Sequence, residues 1–116
     1  MNLPEILDSR VSEDQACYRF LVSADLPCFS GHFPGHPVVP GVVQVQWACE
    51  VARRHFPETD CFCGLRNVKF HSLVVPGTRL CLEVRRFGER LGWRLLDDED
   101  HEQVYSQGRM LFRSAE

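Results

Sequence analysis

Apolar and polar positions alternate along several short stretches of this chain and recur at helical spacing along one longer stretch. In CYRFLVS (17–23), Tyr18, Phe20 and Val22 fall on one face, the period of a strand with one buried side. Four further segments read as strands: LRNVKF (65–70), RLCLEVRRF (79–87), GWRLLD (92–97) and QVYSQGRMLF (103–112). Within 79–87, Leu80, Leu82 and Val84 define one face. VPGT, GERL and an acidic DDEDHE stretch separate these strands as turns. From Gly41 to Phe56 the period changes. Val42, Val45, Cys49, Ala52 and Phe56 recur at steps of three and four and predict one apolar helical stripe. Val43, Trp47 and Val51 lie off that stripe, so the helix is apolar around much of its circumference and is expected to be surrounded by other structure. Gln46, Glu50, Arg53 and Arg54 share the remaining sector, and Pro57 ends the segment. Residues 3–8 are read as a short helical turn.

One long buried helix with about five strands predicts an α+β architecture, an antiparallel sheet curled around the helix. A length of 116 residues fits a single domain over 1–116. Hydrophobic residues at 44% and charged residues at 25% match a globular chain, and a net charge of -3 offers no basic footprint for nucleic acid. No run approaches the roughly 18–20 apolar residues of a membrane span. The opening MNLPEILDSR carries acidic residues and no uninterrupted apolar stretch, so no signal peptide and a cytoplasmic address are expected. The six cysteines, Cys17, Cys28, Cys49, Cys61, Cys63 and Cys81, are scattered as small buried side chains would be, and thiols are expected. Cys61 and Cys63 with His55 lack the paired spacing of structural zinc sites, so no metal and no cofactor is expected.

Candidate chemistry concentrates just before the helix, in FSGHFPGHPVVPG (29–41). Pro34, Pro37 and Pro40 stiffen this loop, and Gly31, Gly35 and Gly41 permit backbone shapes closed to other residues. His32, held on such a loop, has the side chain suited to proton transfer near neutrality. Gly41 begins the helix, where amides without intrahelical acceptors and the helix dipole favour an oxygen gaining negative charge. A base nine residues before such a donor is a layout for removing a proton beside a carbonyl. On these grounds alone a loop histidine is more often a surface or structural group, and Pro-Gly pairs usually mean turns.

The words of the motif taken together change that balance. GHFPGHPVVPGVVQVQ (31–46) resembles the 3-hydroxyacyl-(acyl carrier protein) dehydratases of the FabA/FabZ type, whose motif reads G-H-F-P-x-x-P-x-x-P-G-x-x-x-x-[E/D]. Every fixed position from Gly31 through Gly41 matches. VKFHSLVVPGTRLCLEV (68–84) is similar to the same family's strand-turn-strand around V-x-P-G. The resemblance implies a hot dog fold over about residues 15 to 113, and GVVQVQWA looks closest to the ApeI-like branch associated with aryl-polyene pigments. It implies His32 as the base for the substrate's C2 proton and the Gly41 amide as donor to the thioester carbonyl. It implies that the Val38 carbonyl orients the other imidazole nitrogen and that Phe33 lies at the substrate. The family's carboxylate falls fourteen residues after the histidine, on the helix of the partner subunit; here that position is Gln46.

An amide cannot protonate a leaving hydroxyl. Three readings stay open: Gln46 positions the hydroxyl while His32 carries the proton, Glu50 one turn on supplies it, or the chain binds without turnover. Glu50 is otherwise a partner for Arg53 or Arg54 at helical spacing. Trp47 is expected in core or dimer packing, or narrowing an acyl tunnel. His36 is expected to face solvent or the substrate entrance, and His55, His71 and His101 to be structural or exposed. The implied partners are an acyl carrier protein bearing a 3-hydroxyacyl chain and a second hot dog subunit, identical or not. For an acidic carrier, Arg53-Arg54, Arg85-Arg86 and Arg90 are candidate contacts, or simply a solvated face. An acyl-thioesterase on the same fold, using a helix carboxylate, and a non-catalytic partner subunit are the rival functions.

Overall fold

The computed structural model describes residues 3–29, 35, 37–57, 59, 62–88 and 90–112. Their elements run β1 (Glu5–Val11), β2 (Gln15–Leu21), α1 (Gly41–His55), β3 (Phe62–Phe70), β4 (Arg79–Phe87), β5 (Arg90–Asp97) and β6 (Val104–Phe112), with a 3₁₀ turn at Pro27–Phe29. The strands form one antiparallel sheet in the order β1-β2-β4-β5-β6-β3. Because α1 intervenes between β2 and β3, β2 pairs with β4 and β3 crosses to the far edge beside β6.

Alternation along the central strands makes the core. Tyr18 and Phe20 of β2 stand opposite Leu82 and Leu80 of β4, and all four point at the helix and are buried. Val84, Leu91, Trp93, Leu95 and Met110 continue that face. Complete burial of a Leu or Phe side chain contributes about 1.5–3 kcal/mol, so this layer is the main stabilising term. Trp93 lies across Gly108 on the neighbouring strand, where an added Cβ would come within 2.3 Å of the indole. Glycine at 108 is therefore a packing requirement.

Two expectations are corrected. Residues 3–8 are not a helical turn: Glu5–Val11 is an edge strand paired with β2, which brings the strands to six. Its residues are exposed on both faces apart from half-buried Asp8, so no alternation marks it, and ladder bonds to β2 hold it. The helix is also turned from the expected stripe. Its buried residues are Gln44, Trp47, Ala48, Glu50, Val51 and Ala52, while Val42 is 65% exposed and Val45 and Cys49 are half-buried. Trp47 decides the orientation, since its large ring packs on Phe20 with centroids 6.2 Å apart.

Candidate active site

The long connection from β2 to α1 is tied down at both ends. The Val22 amide donates to the Thr78 carbonyl (2.9 Å), and the Gly77 amide donates back to the Val22 carbonyl (2.7 Å). At the other end the Val39 amide donates to the Val74 carbonyl (2.8 Å). Both ends therefore rest on the segment 74–78, the VVPGT turn before β4, where Gly77 takes a left-handed φ of 88°. Gly31, His32, Phe33, Pro34 and His36 lie outside the described residues, as does Cys61. Val38 is half-buried beside the tethered Val39.

Pro40 is the N-cap of α1, with φ −59° and ψ 147°, and no side chain among the described residues caps the helix. The Val43 and Gln44 amides both turn back to the Pro40 carbonyl (3.0 and 3.2 Å), leaving Gly41 and Val42 as the amides ahead of the first helical bonds. The first turn holds no acidic residue to offset the positive end of the dipole. Phe70, at the end of β3, backs this turn. A Cβ on residue 41 would approach its ring to 2.7 Å, so glycine lets the chain pass there.

Gln44 escaped the sequence reading. It is 4% exposed; its Nε2 donates to the Val39 carbonyl (3.2 Å), and its buried Oε1 meets no donor among the described residues. The side chain thus clasps the end of the loop to the first turn of the helix. The only signal available was an amide in an otherwise apolar helix.

Gln46 is exposed on another face of α1, where it opens a groove of about 350 Å³ lined also by Cys49, Arg53, Thr59, Phe62 and Met110. Trp47 does not line this groove, because its ring is directed into the core. Glu50 reaches the groove's wall and is 8% exposed. Arg53 Nη2 donates to Glu50 Oε1, and Arg54 Nε donates to Oε2 at 2.8 Å. These two guanidinium bonds, Arg53's first, outweigh burial and hold the carboxyl below its ordinary value. The geometry weighs against Glu50 as a proton donor, and it engages Arg53 and Arg54 inside the chain.

The remaining histidines have local roles or none in the groove. The Tyr18 hydroxyl and His55 Nε2 lie 2.5 Å apart, and burial, followed by nearby Arg54, lowers the His55 pKa. His71 and His101 are exposed. A larger concavity of about 540 Å³ lies on the opposite face of the sheet, lined by Lys69, Arg85, Arg94 and Arg109 with Glu83 as its acid. It is separated from the helix by the full thickness of the sheet, so the chemistry argued for Gly41 and Gln46 is not there.

The described residues thus place the Gly41 and Val42 amides at the start of α1 and, further along the same helix, a groove of about 350 Å³ beside Gln46. The ApeI-like family model, described as ApeI dehydratase, matches residues 8–109. A 3-hydroxyacyl-[acyl-carrier-protein] dehydratase FabZ of Roseiflexus castenholzii is 33% identical, with 94% of this chain and 85% of that protein covered. FabZ of Thermotoga petrophila is 36% identical over 85 residues, 70% of this chain; the match spans 62% of that relative's length. Among solved structures, the dehydratase heterocomplex ApeI:P from Xenorhabdus doucetiae superposes with a TM-score of 0.83 at 26% identity, covering 97% of this chain and 100% of that one. Zebra fish thioesterase superfamily member 2 superposes at 0.68 with 10% identity, covering 91% of this chain and 77% of that one, and shares the fold alone.

Proposed function

This chain belongs to the ApeI-like dehydratase family, and from that premise we propose that it removes water from a 3-hydroxyacyl thioester on an acyl carrier protein. The product is the trans-2-enoyl thioester. The observation that carries the reading is the first turn of α1, without a capping side chain among the described residues and free of acidic residues, at the end of a loop tethered on both sides. In this reading the Gly41 amide donates to the thioester carbonyl and stabilises the charge that forms as C2 loses its proton. His32 takes that proton. The C2–H electron pair becomes the C2–C3 double bond, the C3–O bond breaks, and the hydroxyl leaves as water after protonation. Phe33 lies along the substrate, and the Val38 carbonyl holds the second imidazole nitrogen.

The family carboxylate is replaced by Gln46, and Glu50 is occupied by two arginines. The proton for the leaving hydroxyl is then the one His32 has taken, with Gln46 orienting the oxygen by hydrogen bonding. A thioesterase reading loses support for the same reason, because it needs a free carboxylate on the helix. A partner-subunit reading keeps one specific support. The Xenorhabdus doucetiae neighbour is a heterocomplex, and Val42, Phe62, Leu65 and Phe70 here are exposed apolar side chains. We propose a dimer through this surface, with an identical or a different hot dog subunit, in the cytoplasm. No helix among the described residues is long and apolar enough to cross a membrane.

The test offers the purified protein a series of 3-hydroxyacyl thioesters and follows enoyl absorbance. His32→Ala should lower the rate about 10²–10⁴-fold, while His36→Ala leaves most of it. Gln46→Glu should hold or raise the rate, and Gln46→Ala should lower it about three- to tenfold, the effect of one hydrogen bond to a neutral group. Thiol release without enoyl formation would make the protein a thioesterase. No turnover alone, with turnover switched on by Gln46→Glu or by a second hot dog subunit, would make it a partner.

A further inference from the structure

We propose that Cys17 and Cys81 form an oxidation site, at which a two-electron oxidant of the hydrogen peroxide class converts the thiol pair into a reversible disulfide. The pairing of β2 with β4 sets Arg19 opposite Cys81 and Cys17 opposite Glu83. The two cysteines are therefore diagonal neighbours on the outer face of the sheet, opposite the face that carries Phe20, Leu80 and Leu82. Their sulfurs lie 2.9 Å apart although 64 positions separate them in the chain. A disulfide needs about 2.05 Å, so the sulfurs have less than about 1 Å to close.

The two thiols differ in the ways the chemistry requires. Cys17 is half-buried and can be reached from solvent, whereas Cys81 is 2% exposed. The contact between the two thiols, in which either sulfur can donate, lowers the Cys17 pKa against burial and the nearby Glu83 and Asp98, with Arg10 assisting, and raises Cys81. Cys28 and Cys49, by contrast, are pushed up by burial. Attack by the Cys17 thiolate on peroxide breaks the O–O bond, gives a sulfenic acid and releases hydroxide, which takes a proton to become water. The Cys81 sulfur then attacks the Cys17 sulfur, the S–O bond breaks, and a second water leaves with the Cys81 proton. Two thiols are oxidised and one peroxide is reduced to two waters.

The site lies on the side of the sheet away from Gln46, so the proposal does not depend on the dehydratase reading. Its effect is mechanical: a covalent tie between β2 and β4 across a long loop of chain. Treating the full chain with a few equivalents of hydrogen peroxide and mapping its peptides by mass should reveal a Cys17–Cys81 cross-link that dithiothreitol removes. The oxidised chain should melt several degrees higher than the reduced one. Cys81→Ala should leave a Cys17 sulfenic acid that dimedone traps, and Cys17→Ala should abolish both products. In the unaltered chain, Cys17 should resist alkylation after peroxide and regain it after reduction, a readout independent of how the variants fold. Cys17 remaining fully alkylatable after peroxide, or pairing with a cysteine other than Cys81, would overturn the proposal.

Discussion

At Glu50 a carboxylate is nearly buried beside two guanidinium groups, and its role follows from which proton state the fold prefers. Its folded pKa lies below the ordinary 4.5, so folding favours the ionised form. The stability it contributes is present above that ordinary value and is lost as pH falls through the lower folded one. Glu50→Gln should therefore destabilise the protein by about 1–2 kcal/mol at neutral pH, less than the full value of hydrogen bonds to a charged group because Arg53 and Arg54 are partly screened by solvent. Urea denaturation at neutral and acid pH should show the gap closing in acid, while turnover stays within about threefold of the parent. Gln44 calls for a different substitution. Gln44→Leu removes the buried Oε1, which has no partner among the described residues, together with the bond to Val39, so stability should change by less than about 1.5 kcal/mol. Turnover should nevertheless fall, because the end of the His32 loop loses its clasp to α1. Equal turnover in parent and Gln44→Leu would remove Gln44 from the positioning of the loop.

Among the elements, β3 has the surface that most needs explaining. It is an edge strand nine residues long, and Phe62, Leu65 and Phe70 on it are 44%, 38% and 51% exposed. Leu65 stands opposite the buried Met110, so its side chain is on the helix-facing side of the sheet. The outward face of α1 adds exposed Val42 and half-buried Val45 and Cys49. A long edge with apolar side chains is a template for strand pairing with another chain. Leu65→Glu should disrupt the proposed dimer by placing a charge where a partner would bury apolar surface. Sedimentation equilibrium should then report a monomer, with far-UV circular dichroism unchanged. A dimer that persists would put the interface elsewhere.

Across the whole molecule, protection should follow burial. β2, β4 and β5 lie inside the sheet beneath α1, whereas β1 is an edge strand with little buried side-chain surface. Amide hydrogen exchange should be slowest in β2, β4 and β5 and fastest in β1. β3 should exchange slowly only at concentrations where a partner covers its edge, so dilution should expose it before any other long strand. Charge is also segregated at this scale. The chain carries a net -3, yet Lys69, Arg85, Arg94 and Arg109 gather around one concavity on the outer face. Of the arginines considered for carrier contact, Arg53 and Arg54 are paired with Glu50, and Arg86 stacks over Phe56 with its guanidinium carbon 5.0 Å from the ring centroid.

By itself the sequence determined what depends on near neighbours. Alternation at 17–23 and 79–87 located β2 and β4 because one face of each is buried, and the three-and-four spacing after Gly41 located α1. The loop's prolines and glycines marked the candidate site, and the words around His32 and Gly41 pointed to a family. Tertiary structure decided what depends on distant partners. β1 required β2 beside it, since neither of its faces enters the core. The phase of α1 was unreadable because apolar residues surround it, and only Trp47 docking on Phe20 chose which side turned inward. Glu50 had arginines at the right spacing, but its burial between them came from packing. The tether of Val22 and Val39 to the segment 74–78 and the approach of Cys17 to Cys81 join positions far apart in the chain, where no local pattern carries information.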